Sequence, residues 1–111
     1  MKRGDVVLMV ASGDLDRPRP GAVVQADELG DSTTAVLVCP ITSDITENLP
    51  VRPILEAGQM SGLRIRSQIM TDKLLALRRE RVRRVIGKLD ADTTTQLDRA
   101  LLIVLGLARQ F

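Results

Sequence analysis

The chain contains no histidine, tyrosine or tryptophan, and Phe111 is its only phenylalanine. Without histidine it lacks both the usual proton carrier near neutral pH and the commonest metal ligand. Cys39 is the only cysteine. That excludes an intrachain disulfide, fits a reducing cytoplasm and argues against a zinc site, so neither metal nor cofactor is expected. Cys39 lies within AVLVCPI, where a small buried hydrophobe is the plain reading and a reactive thiol the alternative. So few aromatics argue against nucleic-acid binders built on base stacking, such as an RRM or a typical OB fold, and require an aliphatic core.

Long apolar runs are missing too. The longest, ALLIVLGLA, is nine residues and cannot span a bilayer. The five-residue apolar run in MKRGDVVLMVASG is too short for a signal peptide. A cytoplasmic protein without membrane association is expected. No Walker loop or Gly-x-Gly-x-x-Gly fingerprint occurs.

The 111 residues suit one domain over 1–111, and 44% hydrophobic content is enough for one core. The net charge of +2 conceals a division. Residues 1–50 carry four basic and eight acidic side chains, whereas 51–111 carry twelve and six. Between Arg64 and Lys88 there are nine basic residues and only two acids, Asp72 and Glu80. This window is either a solvated face or a surface for a phosphate backbone or an acidic peptide.

Short apolar segments predict strands over 6–10, 22–26, 35–41, 51–55 and 66–71, an extended LLALR, one helical turn in RERVRR, and a strand over 85–89. Pro20 marks a strand entrance and Pro53 an edge strand. Close spacing of short strands implies a strongly curved sheet or small barrel. From Asp90 or Asp92, either able to cap a helix, Leu97, Leu101, Val104, Leu105 and Ala108 recur at helical spacing. Ala100, Leu102, Ile103 and Leu107 widen that stripe, so the helix is expected to be covered on two sides, by the sheet alone or also by a second subunit. The fold class is α+β, mainly β.

Three stretches carry candidate chemistry. In RPRPG, each proline restricts the arginine before it, so Arg17 and Arg19 have stiffened backbones. A guanidinium so held suits a phosphate, although a turn with surface arginines paired to Asp14 or Asp16 gives the same string. In CPITSD, Thr42 and Ser43 follow an apolar strand, where hydroxyls either donate to phosphate oxygens or form a plain turn. In IMTDK, Asp72 is either a base at a strand end or the ion-pair partner of Lys73.

RGDVVLM, RPGAVVQ, VCPITSD, SGLRIRSQIMTDKL and RVIGKLD, in that order and followed by a helix, resemble the MazF/PemK family of toxin ribonucleases from Arg3 to about Leu107. The resemblance implies a small SH3-like, CcdB-type curved barrel with a C-terminal helix, assembled as a homodimer. It implies cleavage of single-stranded RNA at short sequences and inhibition by a cognate antitoxin whose acidic tail fills the RNA groove. It assigns catalysis to Arg19 and Thr42, places the early Arg-Gly-Asp on Arg3, Gly4 and Asp5, and makes Arg17, Ser43, Asp72, Lys73 and Arg78 candidate RNA contacts. One branch, the Kid-like toxins, uses an Arg-x-Asp pair where this chain has Met70-Thr71-Asp72. The aspartate matches and the arginine does not, which favours the branch relying on arginine and threonine. The loop Ser12–Asp16 is shorter than in many members. Two alternatives belong to other classes: a non-enzymatic, topoisomerase-binding toxin of the CcdB type, and an inactive family member.

Overall fold

The computed structural model describes residues 1–10 and 17–108. The expected pairing of Arg17 or Arg19 with Asp14 or Asp16, and the loop 12–16 itself, lie outside the described residues.

Seven strands form one curled half-barrel sheet: β1 Asp5–Met9, β2 Arg19–Val23, β3 Ala35–Thr42, β4 Ile54–Leu55, β5 Ser67–Ile69, β6 Leu75–Arg78 and β7 Val82–Lys88. Among the described residues a single α-helix, α1 Ala91–Val104, follows. All pairings are antiparallel, in the order β4-β5-β3-β2-β1-β7, with β6 also paired to β3. β3 carries both β5 and β6 because its two halves bond different partners. Val38 pairs with Leu75 and Ile41 with Ile69, on either side of Pro40. A turn of 3-10 helix, Thr71–Lys73, bends the chain between β5 and β6.

Side chains alternate along the strands, and each sheet face carries a buried cluster, which explains the continuous apolar runs. One face buries Val6, Ala22, Cys39, Ile41 and Ile69 beneath Leu97 and Leu101 of α1. The other packs Val7, Met9, Val23, Val36, Val38 and Leu77. The Asp90 side chain accepts the Thr93 amide at 2.7 Å and caps α1. At the far end Gly106, with φ 75°, lets Leu107 N–H donate to Leu102 C=O at 2.8 Å and closes the last turn. Arg3 ties the helix to the sheet, through Asp98 at 2.7 Å and the Val24 carbonyl at 2.9 Å.

The main differences from the strand reading are local. β2 begins at Arg19 rather than at residue 22, so Arg19 and Pro20 lie inside the strand. Pro20 is tolerated because the ladder to β3 starts only at Gly21. The segment 51–55 yields strand only at Ile54–Leu55. The 66–71 segment splits into β5 and the Thr71–Lys73 turn. RERVRR is helical only in its first half: Arg79–Arg81 form a turn of 3-10 helix and Val82 already starts β7. Irregularities in the β1–β7 register let Val82 pair with Met9 and lengthen β7 beyond 85–89.

Segment 56–66 crosses the outer edge of β7. Lys88 N–H donates to the Met60 carbonyl at 2.8 Å, and Gly62 lies against Ile86 while Gly87 lies against Ser61. Among the described residues, no helix is long and apolar enough to cross a membrane.

Candidate active-site cleft

The β2–β3 register assembles the site. Gly21 pairs with Pro40 as the outermost pair of that ladder, and beyond it β2 reaches back to Arg19 while β3 runs on to Thr42 at the same end of the sheet. Arg19 also pairs with Met9 of β1. These strand ends open into a cleft of about 660 Å³ that both side chains line together with Ser43. Its floor is apolar, from residues such as Leu8, Ile41, Leu63 and Ile86, while Arg64 and Arg84 join Arg19 on its walls. No carboxylate or amide side chain lines it among the described residues.

Thr42 is half-buried, and its Oγ1 accepts the Asp44 amide at 3.0 Å. An accepted hydrogen bond leaves the hydroxyl proton available to donate. Thr42 thus keeps a hydroxyl proton that can be donated, and the guanidinium of Arg19 lines the same cleft.

The other sequence candidates fall elsewhere. Arg17 is exposed, two residues before the cleft, and Lys73 and Arg78 do not line it. Asp72 is not the ion-pair partner of Lys73. Its partner is Arg52, through Nε–Oδ1 at 2.8 Å and Nη2–Oδ2 at 3.0 Å. The Arg52 hydrogen bonds hold the Asp72 carboxyl below the usual carboxylate range. A carboxylate so committed is a poor proton acceptor and does not line the cleft. The pair instead fastens the 71–73 turn to the 43–53 loop, helped by the buried Thr71 hydroxyl, which donates to the Val51 carbonyl.

Met70 does line the cleft, so a neutral thioether stands where the Kid-like branch places arginine. Cys39 is fully buried, and burial pushes its thiol up to about 12, which leaves it a neutral packing group. Arg64 and Arg84 are cleft residues that the sequence did not single out. The only signal was the basic window as a whole, because their elements meet Arg19 only in the folded chain.

A family model described as "PemK-like, MazF-like toxin of type II toxin-antitoxin system" matches residues 2–105. The chain belongs to this toxin family. A probable endoribonuclease MazF of Mycolicibacterium smegmatis is 34% identical over 109 residues, covering 97% of this chain and 99% of the relative. Among solved structures, a mycobacterial endoribonuclease in complex with its cognate antitoxin superposes with a TM-score of 0.82 at 18% identity, covering 99% of each chain. The Mycobacterium tuberculosis toxin MazF-mt6 gives 0.80 at 22% identity, covering 94% of this chain and 98% of its own. The curled sheet with one C-terminal helix is thus the MazF-like fold, and the family match does not favour the topoisomerase-binding alternative.

Proposed function

We propose that this MazF-like toxin is an endoribonuclease that cuts single-stranded RNA by attack of a 2′-oxygen on the adjacent phosphorus, without a metal ion. The observation that supports the reading is that Arg19 and Thr42 line one cleft together with Ser43, Arg64 and Arg84, over otherwise largely apolar residues. Its support from relatives is the 34% identity to a protein named as a probable endoribonuclease.

In this mechanism the 2′-oxygen bonds to phosphorus and passes its proton to solvent. A five-coordinate phosphorane forms, and the bond to the 5′-oxygen breaks. The products are a 2′,3′-cyclic phosphate and a 5′-hydroxyl, the latter protonated from water. Arg19 stabilises the extra negative charge with its guanidinium, and Thr42 donates its hydroxyl to a non-bridging oxygen. A guanidinium is delocalised and stays charged, so charge stabilisation rather than proton exchange is the role assigned to Arg19. Ser43, at the same strand end, is a further contact to the strand, and Arg17 a peripheral one.

The same reading makes the chain one domain acting in the cytoplasm, with a cognate antitoxin as its inhibitor; a structural neighbour was solved with such a partner. It also makes the protein a homodimer. Leu102, Leu105 and Leu107 remain exposed at the end of α1, beyond the stripe that the sheet covers, and offer apolar area to a second copy.

A single 2′-deoxy substitution tests the chemistry. In a short RNA containing a mapped cut site, removal of the one 2′-hydroxyl at the scissile position is expected to abolish cleavage. Deoxy substitution two nucleotides away is expected to leave cutting within about threefold, since the loss there is of one hydrogen bond at most. Continued cleavage at the deoxy position would exclude 2′-oxygen attack.

A further inference from the structure

The arginines of the described chain divide by what they touch. Arg3 is bound to Asp98, Arg52 to Asp72 and Arg66 to Glu56, the last at 3.1 Å. Arg79 donates to the carbonyls of Thr33 and Gly30, each at 2.8 Å, and lies near Asp31. Arg64 and Arg84, by contrast, have no ion-pair or hydrogen-bond partner among the described residues, and both line the cleft that holds Arg19. Arg78, Arg83 and Lys88 lie outside it.

Three separate elements bring these cations together. Arg19 comes from β2 and pairs with Met9, whereas Arg84 comes from β7 and pairs with Leu8 on the opposite edge of β1. Two inter-strand spacings therefore separate their backbones, on the order of 10 Å. Arg64 enters from the segment that crosses β7, next to Leu63, which packs against the core. Like charges over an apolar floor repel one another unless anions lie between them, and the low-dielectric floor strengthens attraction to such anions. One anion at Arg19 does not satisfy guanidinium groups set on the far side of β1.

We propose that Arg84 and Arg64 are substrate-binding residues, each holding a phosphate that flanks the one cleaved beside Arg19. The toxin then grips an extended single strand at successive phosphates, one per guanidinium, instead of an isolated linkage. The proposal rests on the endoribonuclease reading and deepens it. Arg84 and Arg64 set affinity; Arg19 and Thr42 set the rate of the chemical step.

The test pairs enzyme variants with RNAs in which one flanking phosphate at a time is an uncharged methylphosphonate. On the wild-type toxin, a neutral linkage at the position held by either arginine is expected to raise KM about tenfold, the size of one charge-assisted contact, with kcat within about twofold. Arg84→Ala and Arg64→Ala are each expected to raise KM similarly on all-phosphate RNA. The neutral linkage at the matching position is then expected to cost nothing further. Each variant should also lower the slope of log affinity against log salt by about 0.7, the value for one phosphate contact on a single strand. Arg84→Lys is expected to recover most of the affinity.

Variants that bind and cut like wild type with an unchanged salt slope would overturn the proposal. So would arginine and linkage losses that multiply independently at every position. If Arg19→Ala loses kcat while Arg84 and Arg64 prove indifferent, only this inference fails. A wild-type protein that cuts no RNA removes the enzymatic reading itself.

Discussion

Arg19→Ala is expected to reduce kcat by at least about a thousandfold while leaving the melting temperature within about 2 °C of wild type. Removing one preorganised donor to a developing oxyanion ordinarily costs 10²–10³ in rate, and Arg19 supplies a full charge as well as paired donors. Its side chain belongs to an exposed residue at the mouth of β2, so truncation leaves no cavity. Thr42→Ala is expected to cost about a hundredfold or more, since it removes a neutral donor. Folding is expected to survive that change as well, because the Asp44 amide released from Thr42 lies in an exposed turn where water replaces the hydroxyl. Thr42→Ser retains a hydroxyl and should keep most of the activity. Single-turnover rates on a short RNA, with thermal melts of the same samples, check all three. Near-wild-type rates in either alanine variant would remove that residue from the site.

Gly87→Ala is expected to do the reverse, lowering stability first and activity as a consequence. A Cβ on Gly87 would lie 2.3 Å from the Ser61 carbonyl carbon and oxygen and 2.4 Å from the Met60 oxygen. All three are backbone atoms, so the crossing of segment 56–66 over β7 must open. Opening it loosens the bond from Lys88 N–H to Met60 C=O at 2.8 Å. The expected loss is about 3 kcal/mol, at the upper end for overpacking, and roughly 10 °C or more in melting temperature. Gly62→Ala should be at least as severe. Its Cβ would approach the Ile86 oxygen to 2.1 Å, and its φ of 74° is itself unfavourable for alanine. Gly21→Ala is the internal control, because the nearest atoms there are the flexible end of Met9 at 2.9–3.0 Å. If Gly87→Ala melts no lower than Gly21→Ala, the crossing does not brace the fold. Leu63, Arg64 and Ile65 reach the cleft from that segment, so Gly87→Ala is expected to raise KM even at temperatures where it remains folded.

Much of this was legible in the chain, for reasons that differ from element to element. β3 was readable as a continuous apolar run because it buries residues on both faces, Val36 and Val38 on one and Cys39 and Ile41 on the other, although Leu37 is exposed; the structure ends it at Thr42, one residue beyond the reading. The Asp90 cap and the Leu97–Leu101 stripe of α1 follow local rules and needed no tertiary information. That Arg19 and Thr42 line one cleft was within reach because β2 and β3 are sequential antiparallel neighbours, so residues at adjoining strand ends come close together. Contacts between elements distant in sequence were not legible. Asp72 finds Arg52, twenty residues away, rather than the adjacent Lys73. A proline within a central strand was misread as its boundary, because whether a missing donor matters depends on where the neighbouring ladder begins. The division of the basic window into paired and unpaired guanidiniums likewise depends on the fold, since sequence charge alone does not show which carboxylates lie within reach.

The division has a consequence for how the toxin is organised. The ion-paired arginines fasten elements together: Arg3 holds α1 to the sheet, and Arg52 holds the 71–73 turn to the 43–53 loop. The cleft receives arginines and hydroxyls with no carboxylate among its described lining. A chain without histidine can in this way do phosphate chemistry through preorganised charge, with solvent carrying protons.

The most direct check of that claim is to incubate the purified protein with a long single-stranded RNA in excess EDTA and map the fragment ends. The expected result is cutting at discrete sites, undiminished by the chelator, with 5′-hydroxyl and 2′,3′-cyclic phosphate ends. RNA left intact, or cut only after a divalent metal is restored, would contradict it.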